Sequence, residues 1–363
     1  MKRIIAIMII ALILITGASC SVKSTKLFEI ALISPKMSLD SSTRSKEAYE
    51  AICEYATKHN ISYKYYVPME ESESGIIGSI QLAVNSGAKI IVCCGISFEV
   101  PVYKLQEFYP NVKFIMIDAE PYNDKNPLQP ETMAENTLSI FFNDAQAGFI
   151  AGYAMMKEGI TNLGFVGGYS IPSNVNYGFG FIQGIEYGAK KFNIKDVKLN
   201  YHYTGDLNSN IEKHVMASSW YKDGVEAIFV CGEDIINSIC AAAKNEGGLV
   251  IASEVDRIDY SSAVCASANK DIYRAVYSVI SSYYLDEFEG NTRFNYGVEE
   301  DYISMSFKQD LFSNFTIVDY NEIYEELKTN KDGLSDSIVL NGEEFLADPT
   351  KLKLENVDLH FFR

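Results

Sequence analysis

Positive charge is in short supply: 31 Lys and Arg face 48 Asp and Glu, a formal charge of −17. That balance excludes the basic patches of nucleic-acid binders and any electrostatic pull toward anionic lipid headgroups. Histidine is scarcer still, and His59, His202, His214 and His360 are too scattered to form a ligand set. The sequence has no G-x-S-x-G, no H-E-x-x-H and no P-loop, so common nucleophile, zinc and phosphate-cradle motifs are missing. Gly178, Gly180 and Gly184 lack the spacing of a dinucleotide fingerprint and fall inside a predicted helix. No cofactor and no metal are expected, and no nucleophile–base arrangement suggests an enzyme.

None of the seven cysteines shows C-x-x-C spacing. Cys93, Cys94, Cys231 and Cys265 lie in apolar, strand-like runs, where inert core thiols are expected over disulfides. The apolar run 4–15 has 12 residues, short of the about 20 that a membrane-spanning helix needs. Lys2 and Arg3 precede it, and Thr16, Gly17, Ala18 and Ser19 lead into Cys20. This is the order of a signal peptide with a small-residue cleavage site. Residues 1–19 are expected to be removed and Cys20 to carry a lipid on the extracytoplasmic face of a cell membrane. Residues 20–26 then form a tether. An ordinary secreted protein with a free Cys20, or an uncleaved anchor, are the alternatives.

The remaining length predicts two domains, and a hydrophobic content of 47% can fill their cores. Strand-like runs at 27–34, 61–67, 89–94 and 112–118 alternate with amphipathic stretches at 43–59, 75–86 and 98–109. That is the rhythm of a parallel sheet with helices on both faces. After a loop at 120–136 the rhythm restarts with strands at 137–142, 163–166, 197–203, 227–231 and 249–253. The expected fold is α/β, with two doubly wound parallel-sheet lobes joined by a hinge. Residues 27–136 form lobe 1, with 269–300 returning to it, and 137–268 form lobe 2. Residues 301–363 supply a hinge return with a strand at 302–306, a helix at 318–328 and a polar tail.

Ligands of such sheets bind beyond the carboxyl ends of the strands. Asp118 ends a strand, where its carboxylate can accept hydrogen bonds from hydroxyls or serve as a loop residue. Glu254 and Asp256 follow the strand at 249–253; in an extended segment they point the same way and could hold a diol together. Lys270, after the strand at 263–268, can pair with these carboxylates and donate to a ligand, or face solvent at a helix start. Phe229 and Phe98 can stack on a flat base or pack in the core, the commoner role for such rings. Trp220, the only tryptophan, reads as core packing.

Several blocks carry a family resemblance: "SGAKIIVCCGISFE" with "YPNVKFIMID", "NDAQAGFIAGYAMMKEGITNLGFVGG", "YGFGFIQGIEYGAK" and "ASSWYKDGVEAIFVCG". From residues 28 to 327 the chain resembles the basic membrane protein lipoproteins, substrate-binding components of purine nucleoside ABC importers. The resemblance implies a type I periplasmic-binding-protein fold, a nucleoside-like ligand between the lobes and ABC permease subunits as partners. It implies a stacking role for Phe229 and ribose contacts for Glu254, Asp256 and Lys270. The first-lobe motif differs: Arg44 stands where the family has Phe, and Ser45 where it has Asn. Gly232-Glu233 replaces a Gly-Gly. Arg44 is expected to stack by its guanidinium plane or to meet an anionic group. A sensor or surface lipoprotein on the same fold, with an altered ligand site, is the alternative function.

Overall fold

The computed structural model describes residues 27–34, 43–126, 129, 132–341 and 346–362. The expected signal peptide, Cys20 and the tether lie outside the described residues. Among the described residues no helix is long and apolar enough to cross a membrane.

The strands are β1 (Ile30–Ile33), β2 (Tyr63–Tyr66), β3 (Ile90–Cys94), β4 (Lys113–Ile117), β5 (Thr137–Phe142), β6 (Asn162–Gly167) and β7 (Val197–Tyr203). They continue as β8 (Ala227–Cys231), β9 (Leu249–Glu254), β10 (Val264–Lys270), β11 (Thr292–Tyr296), β12 (Ile303–Phe307) and β13 (Val357–Phe362). The helices are α1 (Thr43–His59), α2 (Glu73–Asn85), α3 (Glu99–Leu105), α4 (Asp144–Glu158) and α5 (Pro172–Phe192). After them come α6 (Ile211–Lys222), α7 (Ile235–Glu246), α8 (Ile272–Tyr284) and α9 (Ile317–Lys328).

Two sheets result. Lobe 1 has the order β2-β1-β3-β4-β5-β11, parallel throughout. Lobe 2 has the order β13-β7-β6-β8-β9-β10-β12, in which only β12 runs antiparallel. The central strands IALI, IIVCC and AIFVC are buried at every residue. Helices cover both faces of such a sheet, so apolar side chains serve on both sides. The six described cysteines are free, five of them buried.

The lobe boundaries differ from the expected ones. Residues 137–142, expected to open lobe 2, form β5 of the lobe 1 sheet. The Asn136 side chain explains the placement: it donates to the carbonyls of Gln106, Tyr109 and Val112 at 2.8–3.0 Å, tying the start of β5 to lobe 1. The chain crosses to lobe 2 only at Asn143, returns after Lys270 as α8 packs on α1, and crosses again between β11 and β12. The polar tail adds β13 to the edge of the lobe 2 sheet.

Helices α4 and α5 pack backbone against backbone. A Cβ on Gly180 would lie 2.0 Å from the Ala145 carbonyl oxygen, and one on Gly184 would lie 2.0 Å from that of Phe149. These glycines let two backbones touch, and the touching pair sets where Asp144 and Pro172 begin their helices.

Candidate functional site

The carboxyl ends of β4, β9 and β10 converge with the first turns of α1, α4 and α5. Asp118 follows β4, Glu254 ends β9, Lys270 ends β10 and Glu233 follows β8. Arg44 enters from α1 in lobe 1, Asp144 starts α4, and Ser173 lies in the first turn of α5.

The charged groups form one network across the lobes. Lys270 Nζ lies 2.7 Å from Asp118 Oδ2 and 3.1 Å from Asp144 Oδ1, and 3.4 Å from Ser173 Oγ. Arg44 reaches Asp118 at 3.4 Å, Glu233 at 3.6 Å and Glu254 at 3.6 Å. Side-chain exposure is 0% for Lys270, 4% for Asp118, Asp144 and Glu254, 7% for Glu233 and 11% for Arg44. Such burial is tolerable for charges only because they are paired.

Burial and pairing act against each other here. For Lys270, burial opposes the charge, but Asp118, Asp144 and Glu254 outweigh it and hold the ammonium above its usual range. For Arg44, Glu254, Glu233 and Asp118 likewise overcome desolvation and hold the guanidinium charged. Desolvation wins at Asp144, whose carboxyl is pushed up to about 6 despite Lys270. It also pushes the Cys94 thiol up to about 12, so this cysteine beside Arg44 is no nucleophile at neutral pH.

Two of the carboxylates sit on left-handed backbone, Asp118 at φ 52° and Glu254 at φ 73°. Asp tolerates this region by its short polar side chain; Glu does so rarely. The turn at Glu254 has a consequence for its neighbour. Glu254 and Asp256 were expected to share a direction, but φ 73° breaks the extended geometry on which that rule depends. Glu254 turns in toward Arg44, whereas Asp256 is exposed and accepts from Ser306 Oγ at 2.7 Å.

Among the expected site residues, the network unites Arg44, Asp118, Glu254 and Lys270. Ser45 is fully buried next to it, on the side of Cys94. Phe229 and Phe98 stand apart, both at 0% exposure in lobe cores. Phe229 is walled in by Phe165, Tyr177 and Phe181 at centroid distances of 5.0–5.9 Å. Phe98 packs in the cluster with Ile33, Tyr66 and Phe114. Asp144 and Ser173 were missed; an Asp opening a helix directly after a strand was the available signal. Two of the departures from the family pattern, Arg44 and Glu233, face each other as an ion pair.

A groove of about 530 Å³ opens between the lobes beside this network, lined by Glu47 and Glu50 of α1 and by Val255, Asp256, Arg257 and Tyr260. A larger one, about 640 Å³, lies under the C-terminal tail among Gln183, Tyr187 and Leu352, away from the charged groups.

Comparison with known proteins bears on this arrangement. The solute-binding protein of an ABC transporter system from Aeropyrum pernix K1 superposes with a TM-score of 0.66 at 18% identity, covering 89% of this chain and 91% of that one. The corresponding protein from Conexibacter woesei gives 0.65 at 16%, covering 86% and 98%. These likenesses show the two-lobe periplasmic-binding-protein fold. In sequence, basic membrane protein A2 of Borrelia garinii subsp. bavariensis is 26% identical over 237 residues, 64% of this chain and 66% of that protein. The CD4+ T-cell-stimulating antigen of Listeria monocytogenes is 24% identical over 328 residues, 84% and 87%. Residues 28–341, nearly all of both lobes, match the family described as ABC transporter substrate-binding protein PnrA-like. With fold and sequence agreeing over that span, the chain belongs to the PnrA-like, or basic membrane protein, family of ABC-type substrate-binding proteins.

Proposed function

We propose that this chain is the substrate-binding component of an ABC importer, closing its lobes over a nucleoside-like small molecule. Its role is binding and delivery to permease subunits, without turnover. A lipid on Cys20 would hold it at the extracytoplasmic face of the membrane; relatives from Pyrococcus furiosus and Pyrococcus abyssi carry the name lipoprotein.

The observation that carries this reading is the shared buried network. Asp118 and Arg44 of lobe 1 meet Lys270, Glu233 and Glu254 of lobe 2 at the strand ends. Carboxylates accept from ligand hydroxyls, and Lys and Arg donate to them. Because these groups are nearly inaccessible, a ligand enters only when the lobes part, the hinge motion of this class of protein. Titration calorimetry of the protein, stripped of bound solute, against a nucleoside panel tests the ligand; absence of heat with every nucleoside sinks that part.

One observation favours the second reading, a sensor or surface lipoprotein without transport. Arg44 by itself spans from Asp118 to Glu233 and Glu254, which allows closure without a ligand. Small-angle scattering separates the two: a transport component contracts on adding ligand, whereas a latched protein keeps one radius.

A further inference from the structure

We propose that Arg44 and Glu233 determine specificity in this cleft, selecting a neutral polyol of monosaccharide or cyclitol size, recognised through its hydroxyls without a stacked base. This rests on the reading of the cleft as a ligand site and replaces its nucleoside-like ligand with one that carries no base.

Hydrogen bonding carries the argument. A guanidinium has five N–H donors, and a charge-assisted bond spans about 2.7–2.9 Å. Among the described residues, Arg44 lies 3.4–3.6 Å from three carboxylates, and of these contacts only the 3.4 Å one to Asp118 has hydrogen-bond geometry. Facing it, Glu254 Oε2 is buried and accepts no hydrogen bond among the described residues. Buried ions left this way are costly. A hydroxyl oxygen about 2.8 Å from each partner fits beside a 3.6 Å Arg44–Glu254 span. It would accept from the guanidinium and donate to the carboxylate. A polyol brings several such groups on one small frame.

Charge excludes anions. Asp118, Asp144, Glu233 and Glu254 surround two cations, Arg44 and Lys270. Among the described residues, both cations of the network are already paired, so neither is left over for a phosphate or carboxylate.

Aromatic faces are also taken. Phe98 and Phe229 are sealed in their cores. The rings of Phe142 and Tyr177 hold Lys270 Nζ at 5.4 and 5.6 Å from their centroids. The stretch from Pro35 to Ser42, ahead of α1, contains no aromatic residue. Among the described residues, these four rings offer no free face to a base, and the exposed ring of Tyr260 lies in the neighbouring groove instead.

The test is calorimetry with ribose, myo-inositol, inosine and ribose 5-phosphate on protein stripped of bound solute. The expected result is saturable heat with ribose or myo-inositol, inosine binding no tighter than ribose, and ribose 5-phosphate weakest. Arg44→Lys and Glu233→Gln, each checked for an unchanged circular dichroism spectrum, weaken the polyol by about 10- to 100-fold, as loss of a hydrogen bond between charged and neutral groups does. Arg44→Phe with Glu233→Gly turns the preference toward inosine. Inosine binding at least about tenfold tighter than both polyols overturns the proposal and leaves the cleft reading standing. Heat from none of the four compounds overturns both. Unchanged polyol affinity in Arg44→Lys and Glu233→Gln overturns the role of the pair.

Discussion

Asp118 in lobe 1 holds Lys270 in lobe 2 at 2.7 Å, through the same oxygen that faces Arg44 at 3.4 Å. One carboxylate thus joins both cations, and the Lys270 side chain is fully buried. Replacing Lys270 by Met would strand Asp144 as a buried carboxylate and leave Asp118 only its longer contact to Arg44. Breaking a buried pair by removing one partner costs about 3–5 kcal/mol. Scanning calorimetry of Lys270→Met is expected to show a melting temperature lower by several degrees. An unchanged melting temperature would mean that the network contributes no stability.

Much of the fold was readable because central parallel strands are apolar on both faces, so β1, β3 and β8 stand out as uninterrupted runs. The edge strands β11 and β13 were not. Their half-exposed patterns put Arg293, Asn295, Asp358 and His360 among the apolar residues, and those residues look like loop. The strand-end rule found Asp118, Glu254 and Lys270, since it depends only on where a run stops. It could not tell which face of β8 carries Phe229, nor see that a left-handed Glu254 would send Asp256 outward. Asp144 was overlooked because the crossing between lobes was placed one strand too early, which put the start of α4 inside lobe 2 instead of at the hinge.

The raised Asp144 carboxyl makes a pH-dependent contribution of definite sign. Its folded pKa is about 6, above an unfolded value of about 3.9. Native protein therefore holds the proton that unfolded chain has released between about pH 4 and 6. Over that window the Asp144 contribution to stability falls as pH rises, and above it the contribution is constant. Urea unfolding of the parent and of Asp144→Asn measures this directly. The parent-minus-variant stability is expected to decline from about pH 4 to 6 and then level off. A flat difference across the window would refute the assignment.

The glycine seam between α4 and α5 links packing to the site. Gly180→Ala would place a methyl against the Ala145 carbonyl, one residue from Asp144. Neither partner is a flexible side chain, so the helices must separate. Overpacking of this kind costs about 1–3 kcal/mol, occasionally more. Chemical denaturation is expected to show that loss. Ligand affinity should fall as well, because Asp144 and Ser173 hold Lys270 from the ends of these two helices. Affinity unchanged in a destabilised Gly180→Ala would separate the seam from the site.

The tail is structural, and its removal should show as self-association. β13 pairs with β7 along its whole length, and Phe361 meets the rings of Tyr201 and Tyr203 at 5.8 and 6.2 Å. Asn356 anchors the approach: its side-chain amide donates to Glu186 at 2.7 Å and its carbonyl accepts from Lys195 at 2.7 Å. A chain ended after Asn341 leaves the β7 backbone donors and acceptors that face β13 unpaired at an open sheet edge, and takes Phe361 away from Tyr201 and Tyr203. Open edges of this kind pair with other chains. Size-exclusion chromatography of the truncated protein is expected to show oligomers or aggregate at concentrations where the full chain elutes as one species. Phe361→Ala, which keeps the strand and removes the ring, should lower the melting temperature without the association. A truncated chain that stays monodisperse and equally stable would reduce β13 to an appendage of the lobe 2 sheet.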